Sequence, residues 1–224
     1  MRFGVLQFPG SCDERDALGA CERVGEARLV WHAEAELGAL DAVIIPGGFS
    51  YGDYLRAGAI ARFAPAMEAV REFAAAGGTV LGICNGFQVL CEAGMLPGAL
   101  LPNAGLRFVC RQVEIEVANA DTAATRACEL GQRLSVPVKH MSGRWFAPPR
   151  ILAELEANER IVFRYAPGEN PNGSVGDVAG VADERGNVVG LMPHPEHAVD
   201  PLTGSADGMA LLRSLVRSAA PAAV

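Results

Sequence analysis

The chain has 224 residues, half of them apolar and a fifth charged, which suits one large domain and excludes wholesale disorder. Its net charge of −7, with no basic stripe, argues against nucleic acids and anionic membranes as partners. No apolar run reaches the roughly 18 residues that a membrane span needs, and residues 1–8 are too short an apolar start for a signal peptide.

The cysteines and the lysine restrict the chemistry further. Six cysteines in a chain of this length do not form a disulfide framework, and neither a CxxC pair nor a Cys/His cluster with zinc-ligand spacing occurs. Lys139 is the only lysine, and the GK[ST] phosphate loop is missing. The sequence therefore predicts a cytoplasmic, thiol-reduced protein with no metal site and no nucleotide cofactor of its own.

The first 95 residues alternate short apolar runs with longer amphipathic stretches. The apolar runs predict strands, at residues 3–8, 28–31, 41–45 and 79–83. The amphipathic stretches predict helices, at residues 12–25, 64–76 and 85–93. Ser11 is a plausible N-cap of the first helix, and Pro65 fits the first turn of the second. Such strand–helix units predict a parallel sheet with helices on both faces.

The second half has a different pattern, because its strands follow one another with few helices between them. The strands are predicted at residues 107–117, 134–139, 161–165, 177–182 and 188–192. We expect them to form a small antiparallel extension, with a last helix at residues 205–219. No linker or repeat is visible, so residues 1–224 are predicted to be a single α/β domain with a mostly parallel central sheet.

The segment Gly82-Ile83-Cys84-Asn85-Gly86 joins a predicted strand to a predicted helix and has the form GxCxG, the cysteine counterpart of the hydrolase nucleophile elbow. Two glycines permit a tight turn that lifts the Cys84 side chain above the sheet edge. The helix start is expected to lower the pKa of the thiol, and the Asn85 N–H can donate to an oxyanion. The alternative is that Cys84 is a small buried apolar residue, our interpretation of the other five cysteines.

A nucleophilic thiolate needs a base, and His194 in Met192-Pro193-His194-Pro195-Glu196 is the best candidate. The two prolines predict extended backbone, in which positions two apart project to the same side. Glu196 can then accept the Nδ1–H of His194, which completes a triad. The alternative is a loop histidine beside a solvated carboxylate. His197 is a rival base without a carboxylate at that offset, and His32 is interpreted as structural.

The third candidate segment is PGGFSYGDY at residues 46–54, which follows a predicted parallel strand at the edge where such folds bind ligands. Either Gly47 or Gly48 could supply a second oxyanion donor, and such donors are each worth about 3 kcal/mol in a transition state. The alternative is a glycine-rich surface turn. GxGxxG and GxxxxGK patterns are both missing, so a phosphate-binding role is not favoured.

Together these segments resemble the class I, or triad-type, glutamine amidotransferases, which have a flavodoxin-like fold. The resemblance is closest to their branch of glutaminase subunits of phosphoribosylformylglycinamidine synthase. It covers nearly the whole chain and is carried by the following stretches: GVLQFPGSC near the start, IIPGGFSYGDYLRAGAIA at 44–61, LGICNGFQVL at 81–90, NPNGS at 170–174 and GLMPHPE at 190–196.

The resemblance implies a role for each matching position. It makes Cys84 the nucleophile and His194 and Glu196 the other triad members. It places Gly47, Gly48 and the N–H of Asn85 in the oxyanion region, and Phe49 and Gln88 in the glutamine pocket. The family commonly has His-Gly-Glu-Gly where this chain has His140-Met141-Ser142-Gly143, so no role is assigned to His140.

The resemblance also implies substrates and partners. Glutamine is hydrolysed through a Cys thioester, and the ammonia passes to a larger synthetase subunit that binds ATP and magnesium, often with a small accessory subunit. Two rivals stay open: another cysteine hydrolase of the same fold, or a non-catalytic regulatory subunit. The first usually has His after the nucleophile, where this chain has Asn85, and the second is disfavoured because Cys84, His194 and Glu196 are all present.

Overall fold

The structure is a computed structural model, and it describes residues 1–219. Residues 220–224, which include the predicted domain boundary, lie outside the described part. The strands are, in chain order, β1 (Arg2–Gln7), β2 (Glu26–Trp31), β3 (Ala42–Ile45), β4 (Thr79–Ile83), β5 (Ala99–Leu101), β6 (Val109–Val117), β7 (Arg133–His140), β8 (Arg144–Phe146), β9 (Ile161–Tyr165), β10 (Val178–Ala182) and β11 (Val188–Leu191).

Five α-helices connect or follow these strands. They are α1 (Glu14–Glu22), α2 (Pro65–Ala75), α3 (Asn85–Glu92), α4 (Pro149–Ala157) and α5 (Gly208–Ala219). Both α1 and α5 contact a short 3-10 turn at Pro195–His197, whereas α2 and α3 both contact a turn at Ala61–Phe63. Helices therefore cover both faces of the sheet. Within residues 1–219, no helix combines the length and the apolar character that crossing a bilayer requires.

Nine strands form one sheet in the order β2-β1-β3-β4-β11-β10-β9-β6-β7. The first five of these strands run parallel, and from β10 onwards each strand runs antiparallel to its neighbour. Strands β5 and β8 form a separate antiparallel pair. The central strand β4 is buried along its whole length, as expected for a parallel strand covered on both faces.

The predicted fold class is confirmed, with three differences in detail. Strand β11 was expected in the antiparallel extension, but it pairs parallel with β4 on one side and antiparallel with β10 on the other. Ser11 is not the N-cap of α1, because its Oγ accepts a hydrogen bond from the Phe8 N–H at 3.0 Å and the helix begins at Glu14. Helix α4 and the pair β5–β8 were not predicted.

A close approach between α3 and β3 generates a prediction about stability. A Cβ atom at Gly86 would collide with the backbone carbonyl oxygen of Ile45, whereas one at Gly19 in α1 would meet no atom within 4 Å. We expect Gly86→Ala to lower the free energy of unfolding by about 2 kcal/mol or more, as overpacking does. Gly19→Ala is the matched control and should raise it by up to about 1 kcal/mol, since alanine is the better helix former. Urea unfolding of both variants measures the difference, and a Gly86→Ala protein as stable as wild type would contradict this packing.

Candidate functional site

The candidate residues meet at one edge of the sheet because three neighbouring strands end there. Strands β3, β4 and β11 lie side by side and run parallel. Gly47 and Gly48 follow β3, Cys84 follows β4, and His194 follows β11. The carboxyl ends of parallel strands share one edge, so residues more than a hundred positions apart are brought together.

Cys84 occupies a strained turn between β4 and α3. Its backbone has φ 50° and ψ −102°, outside the usual regions for an L-residue, and its side chain is almost completely buried. A Cβ atom at Gly82 would lie 2.8 Å from the carbonyl oxygen of Gly86, and one at Gly86 would collide with the carbonyl oxygen of Ile45, so the turn needs both glycines. The Cys84 N–H donates to the Leu191 carbonyl at 2.8 Å, which ties the turn to β11.

His194 and Glu196 form a buried pair. The Nδ1 of His194 donates to Oε1 of Glu196 at 2.6 Å, and the backbone N–H of His194 donates to the Pro137 carbonyl at 2.8 Å. The expected contact is present, but the extended backbone predicted for it is wrong, because Pro195 begins a 3-10 turn. The other ring nitrogen, Nε2, is buried without an oxygen or nitrogen partner among residues 1–219.

The charges around His194 favour its protonated form. Burial alone would lower the pKa of this imidazole, but the Glu196 carboxylate and the Cys84 sulfur outweigh burial and raise it well above the ordinary value. The ring is therefore a proton donor held beside the sulfur. This is the state that a leaving amine requires from a general acid.

Two backbone N–H groups near the sulfur remain available for an oxyanion. Within residues 1–219, neither Gly48 N–H nor Asn85 N–H has a hydrogen-bond acceptor. Gly48 lines the same cavity as Cys84, whereas a Cβ atom at Gly47 would lie 2.7 Å from the His194 ring. Of the two predicted alternatives, the arrangement favours Gly48 as the donor, and Gly47 gives the imidazole room.

A second polar layer, which the sequence analysis missed, lies behind His194. Asp13 is buried, and its carboxylate forms an ion pair with Lys139, accepts a hydrogen bond from His197 Nε2 at 3.3 Å, and lies 3.7 Å from His194 Nδ1. Burial would raise the pKa of Asp13, but the hydrogen bond from His197 and the charges of His194 and Lys139 hold it well below its usual range. The Lys139 pKa is raised in turn by Asp13, against the effect of burial.

This layer corrects the interpretation of His197. His197 has no carboxylate at an offset of two, as noted from the sequence, yet it contacts the distant Asp13 and lies 3.7 Å from Oε1 of Glu196. Donor atoms of Asp13, His194, Glu196 and His197 all lie within 4.8 Å of one another, so these four side chains could hold a metal ion. Sequence spacing could not reveal the group, because Asp13 follows β1 while the others follow β11.

The cavity above Cys84 is lined in part by the two residues predicted for the glutamine pocket. Phe49 is half exposed at its mouth, and Gln88 is buried in its wall. The Gln88 amide is held at both ends, since its Oε1 accepts from Asn85 Nδ2 at 2.8 Å and its Nε2 donates to the Ser142 carbonyl at 2.7 Å. Gln88 therefore forms part of the wall, and these two hydrogen bonds fix the orientation of its amide.

His140 lies in a buried network that supports the opposite wall. Its Nδ1 donates to Oδ1 of Asn103 at 3.0 Å, and the same oxygen accepts from Gly143 N–H at 2.9 Å. The amide of Asn172 approaches Nε2 at 3.5 Å and donates to the Gly143 carbonyl at 2.8 Å and to the Tyr165 hydroxyl at 3.1 Å. The ring is thus a neutral structural group, and Asn172 belongs to the NPNGS stretch.

The sequence was compared with known families and proteins. Residues 1–209 match the CobB/CobQ-like glutamine amidotransferase domain family. Phosphoribosylformylglycinamidine synthase subunit PurQ of Rubrobacter xylanophilus is 60% identical over 220 residues, covering 98% of this chain and 99% of that protein. The protein of the same name from Salinibacter ruber is 53% identical and covers 96% of this chain and 95% of its own.

The fold was compared with solved structures. A chain in the structure of PurLQS from Thermotoga maritima superposes with a TM-score of 0.88 at 40% identity, covering 96% of this chain and 97% of that one. A glutamine amidotransferase from Thermotoga maritima has a TM-score of 0.62 at 16% identity, covering 98% of both chains, a likeness of fold alone.

The neutral His140 generates a prediction about pH. Burial, with the charge of His194, lowers the pKa of His140 to about 4 from 6.5, so the unfolded chain binds this proton more tightly than the folded one. His140 therefore lowers stability as the pH falls through the window between 6.5 and 4, by about 2 kcal/mol between pH 7 and pH 5. Between pH 7 and pH 5, the free energy of unfolding of His140→Gln should fall by about 2 kcal/mol less than that of wild type. Urea unfolding at the two pH values measures this difference. Equal losses in the two proteins would show that His140 does not titrate in this window.

Proposed function

Because this chain belongs to the CobB/CobQ-like glutamine amidotransferase family, we propose that it is the glutaminase subunit of a phosphoribosylformylglycinamidine synthase. It hydrolyses glutamine to glutamate and ammonia. The ammonia serves a synthetase partner that converts phosphoribosylformylglycinamide to phosphoribosylformylglycinamidine in purine biosynthesis. The observation that carries the proposal is the meeting of Cys84 with the buried His194–Glu196 pair at the carboxyl edge of the sheet.

The reaction begins when the Cys84 sulfur, as the thiolate, attacks the side-chain amide carbon of glutamine. The new C–S bond places negative charge on the amide oxygen, and the N–H groups of Asn85 and Gly48 are the donors that stabilise it. Each such donor contributes about 3 kcal/mol to the transition state. Both N–H groups are free of acceptors within the described chain, so no bond must break for them to act.

His194 supplies and recovers the proton. Its imidazolium protonates the departing amine, the C–N bond breaks, and ammonia leaves a glutamyl thioester on Cys84. The neutral ring then takes a proton from water, whose oxygen attacks the thioester and releases glutamate and the thiolate. Glu196 fixes the ring through Nδ1 at 2.6 Å and stabilises its charged form.

The proposed partner subunits are taken from the names of the relatives. The structure from Thermotoga maritima is one of PurLQS, and the chain superposes on a component of it with a TM-score of 0.88. We extend this association to the present chain, with a large synthetase subunit and a small accessory subunit as partners. Binding of ATP and magnesium by the large subunit, a cytoplasmic location and a single domain over residues 1–224 are parts of the same proposal.

The rival functions differ in what they require of the same residues. A non-catalytic subunit does not require a strained cysteine beside a protonated histidine. Because this combination lowers stability, its presence favours a catalytic role. Another cysteine hydrolase of this fold would share the triad but not the partners. Identities of 53–60% over nearly the full length to subunits of one synthase favour the glutaminase.

The first test removes the nucleophile. Cys84→Ala should abolish ammonia release from glutamine in the assembled complex, because no thioester can form. Amidine synthesis from added ammonium chloride should continue at the wild-type rate, since the synthetase is untouched. Cys110→Ala, at an exposed cysteine in β6, is the control and should keep both activities. Glutamine hydrolysis by Cys84→Ala would refute the assignment of the nucleophile.

The second test removes the charge that orients the base. Glu196→Gln keeps the size of the side chain but loses the carboxylate that holds His194 Nδ1–H. We expect kcat for glutamine to fall by about 10²- to 10⁴-fold with KM little changed, as for the corresponding carboxylate in other triads. Steady-state ammonia release by the complex measures this. A kcat within threefold of wild type would reduce Glu196 to a structural group.

A further inference from the structure

Asp53 is a carboxylate in the reaction cavity that the mechanism above does not use. It lies on the loop after β3, and it lines the same cavity as Cys84 and Gln88. Its Oδ1 accepts a hydrogen bond from Asn85 Nδ2 at 3.3 Å, which connects it to the residue that follows the nucleophile. Asp53 therefore belongs to the site, because it lines the cavity and contacts Asn85 through a hydrogen bond.

The carboxylate of Asp53 has no ion-pair partner in the part of the chain that the structure describes. It differs in this from Asp13, which lines the same cavity and pairs with Lys139. Half-buried in the cavity wall, it has a pKa raised by burial to about 6, an effect that the Asn85 hydrogen bond only partly opposes. A cation entering the cavity would stabilise the charged form of this carboxylate.

The loop holds Asp53 in a fixed and costly conformation. Its φ is 52°, in the left-handed region that aspartate tolerates better than most residues. The loop is anchored to α3 on both sides of Asp53, by Ser50 N–H donating to Asn85 Oδ1 at 3.1 Å and by the Arg56–Glu92 ion pair at 2.6 Å. Strained residues of this kind are often held for function.

Glutamine has an α-ammonium group at the end opposite its reacting side-chain amide, and this cation could pair with the Asp53 carboxylate. When its amide carbon is at the Cys84 sulfur, three carbon atoms separate that carbon from the α-ammonium, and Asp53 lines the same cavity as that sulfur. We propose that Asp53 binds the α-ammonium group of glutamine and so selects an amino-acid amide over a simple amide. This assignment rests on the proposed glutaminase function, and it makes Asp53 a specificity-determining residue.

The test compares two substrates in the assembled complex. One is glutamine, and the other is 4-carbamoylbutanoate, which is glutamine without its α-amino group. Ammonia release gives kcat/KM for each, and the wild-type ratio should favour glutamine by at least tenfold. In Asp53→Asn the ratio should fall at least tenfold, through a raised KM for glutamine, while kcat/KM for 4-carbamoylbutanoate stays within threefold. Asparagine also tolerates the left-handed conformation, so the loop is retained.

The matched control changes the loop without changing the charge of the cavity. Arg56→Gln breaks the ion pair with Glu92, so any loss it causes should be equal for the two substrates. If the analogue is hydrolysed too slowly to measure, protection of Cys84 from iodoacetamide by L-glutamate and by glutarate, followed by peptide mass spectrometry, gives the same ratio. Asp53→Ser, read in the same way, replaces Asp53→Asn if the latter does not fold.

The outcomes separate this inference from the proposed function. An unchanged substrate ratio in Asp53→Asn, or equal losses for both substrates, would overturn the role of Asp53 and leave the glutaminase proposal intact. A wild-type complex that prefers neither substrate would also overturn it. A wild-type complex that releases no ammonia from glutamine would instead refute the proposed function itself.

Discussion

The close packing of the turn after β4 is the constraint on which the site depends. Gly82 and Gly86 allow the chain to reverse so tightly that α3 begins one residue after Cys84, and Gly86 lies against the carbonyl oxygen of Ile45 in β3. A side chain at either glycine would push α3 away from the sheet. The sulfur, the Asn85 N–H and the cavity wall built by Gln88 would then move together, because all three belong to this one turn and helix.

Electrostatics then decides what this geometry can do. Glu196 and Asp13 both lie near Nδ1 of His194, at 2.6 and 3.7 Å, and a fully buried ring would otherwise lose its proton. Asp13 alone would add an unpaired carboxylate, but it forms an ion pair with Lys139 and accepts a hydrogen bond from His197 Nε2. The only lysine of the chain therefore allows two carboxylates to surround one imidazole, which keeps the acid charged without leaving a buried anion uncompensated.

Much of this arrangement was predictable from local sequence, and the rest was not, for a definite reason. The bounds of β4 and the turn at Cys84 follow from an apolar run bounded by glycines, and the pairing of His194 with Glu196 needs only an offset of two. Asp13, Lys139 and Asp53 act through contacts with residues 32 to 184 positions away, which no spacing rule contains. Asp13 had one usable signal, since it follows a parallel strand at the ligand-binding edge.

The departure from the family pattern at residues 140–143 has a physical explanation in these contacts. His140 and Gly143 keep the family's residues, and both are packed, because a Cβ atom at Gly143 would collide with the His140 ring. The two changed positions are held by their main chain: the Met141 carbonyl accepts from Asn103 N–H at 2.9 Å, and the Ser142 carbonyl accepts from Gln88 Nε2 at 2.7 Å. A wall that is held by main-chain atoms tolerates different side chains, so methionine and serine at these two positions are compatible with the shape of the cavity above Cys84.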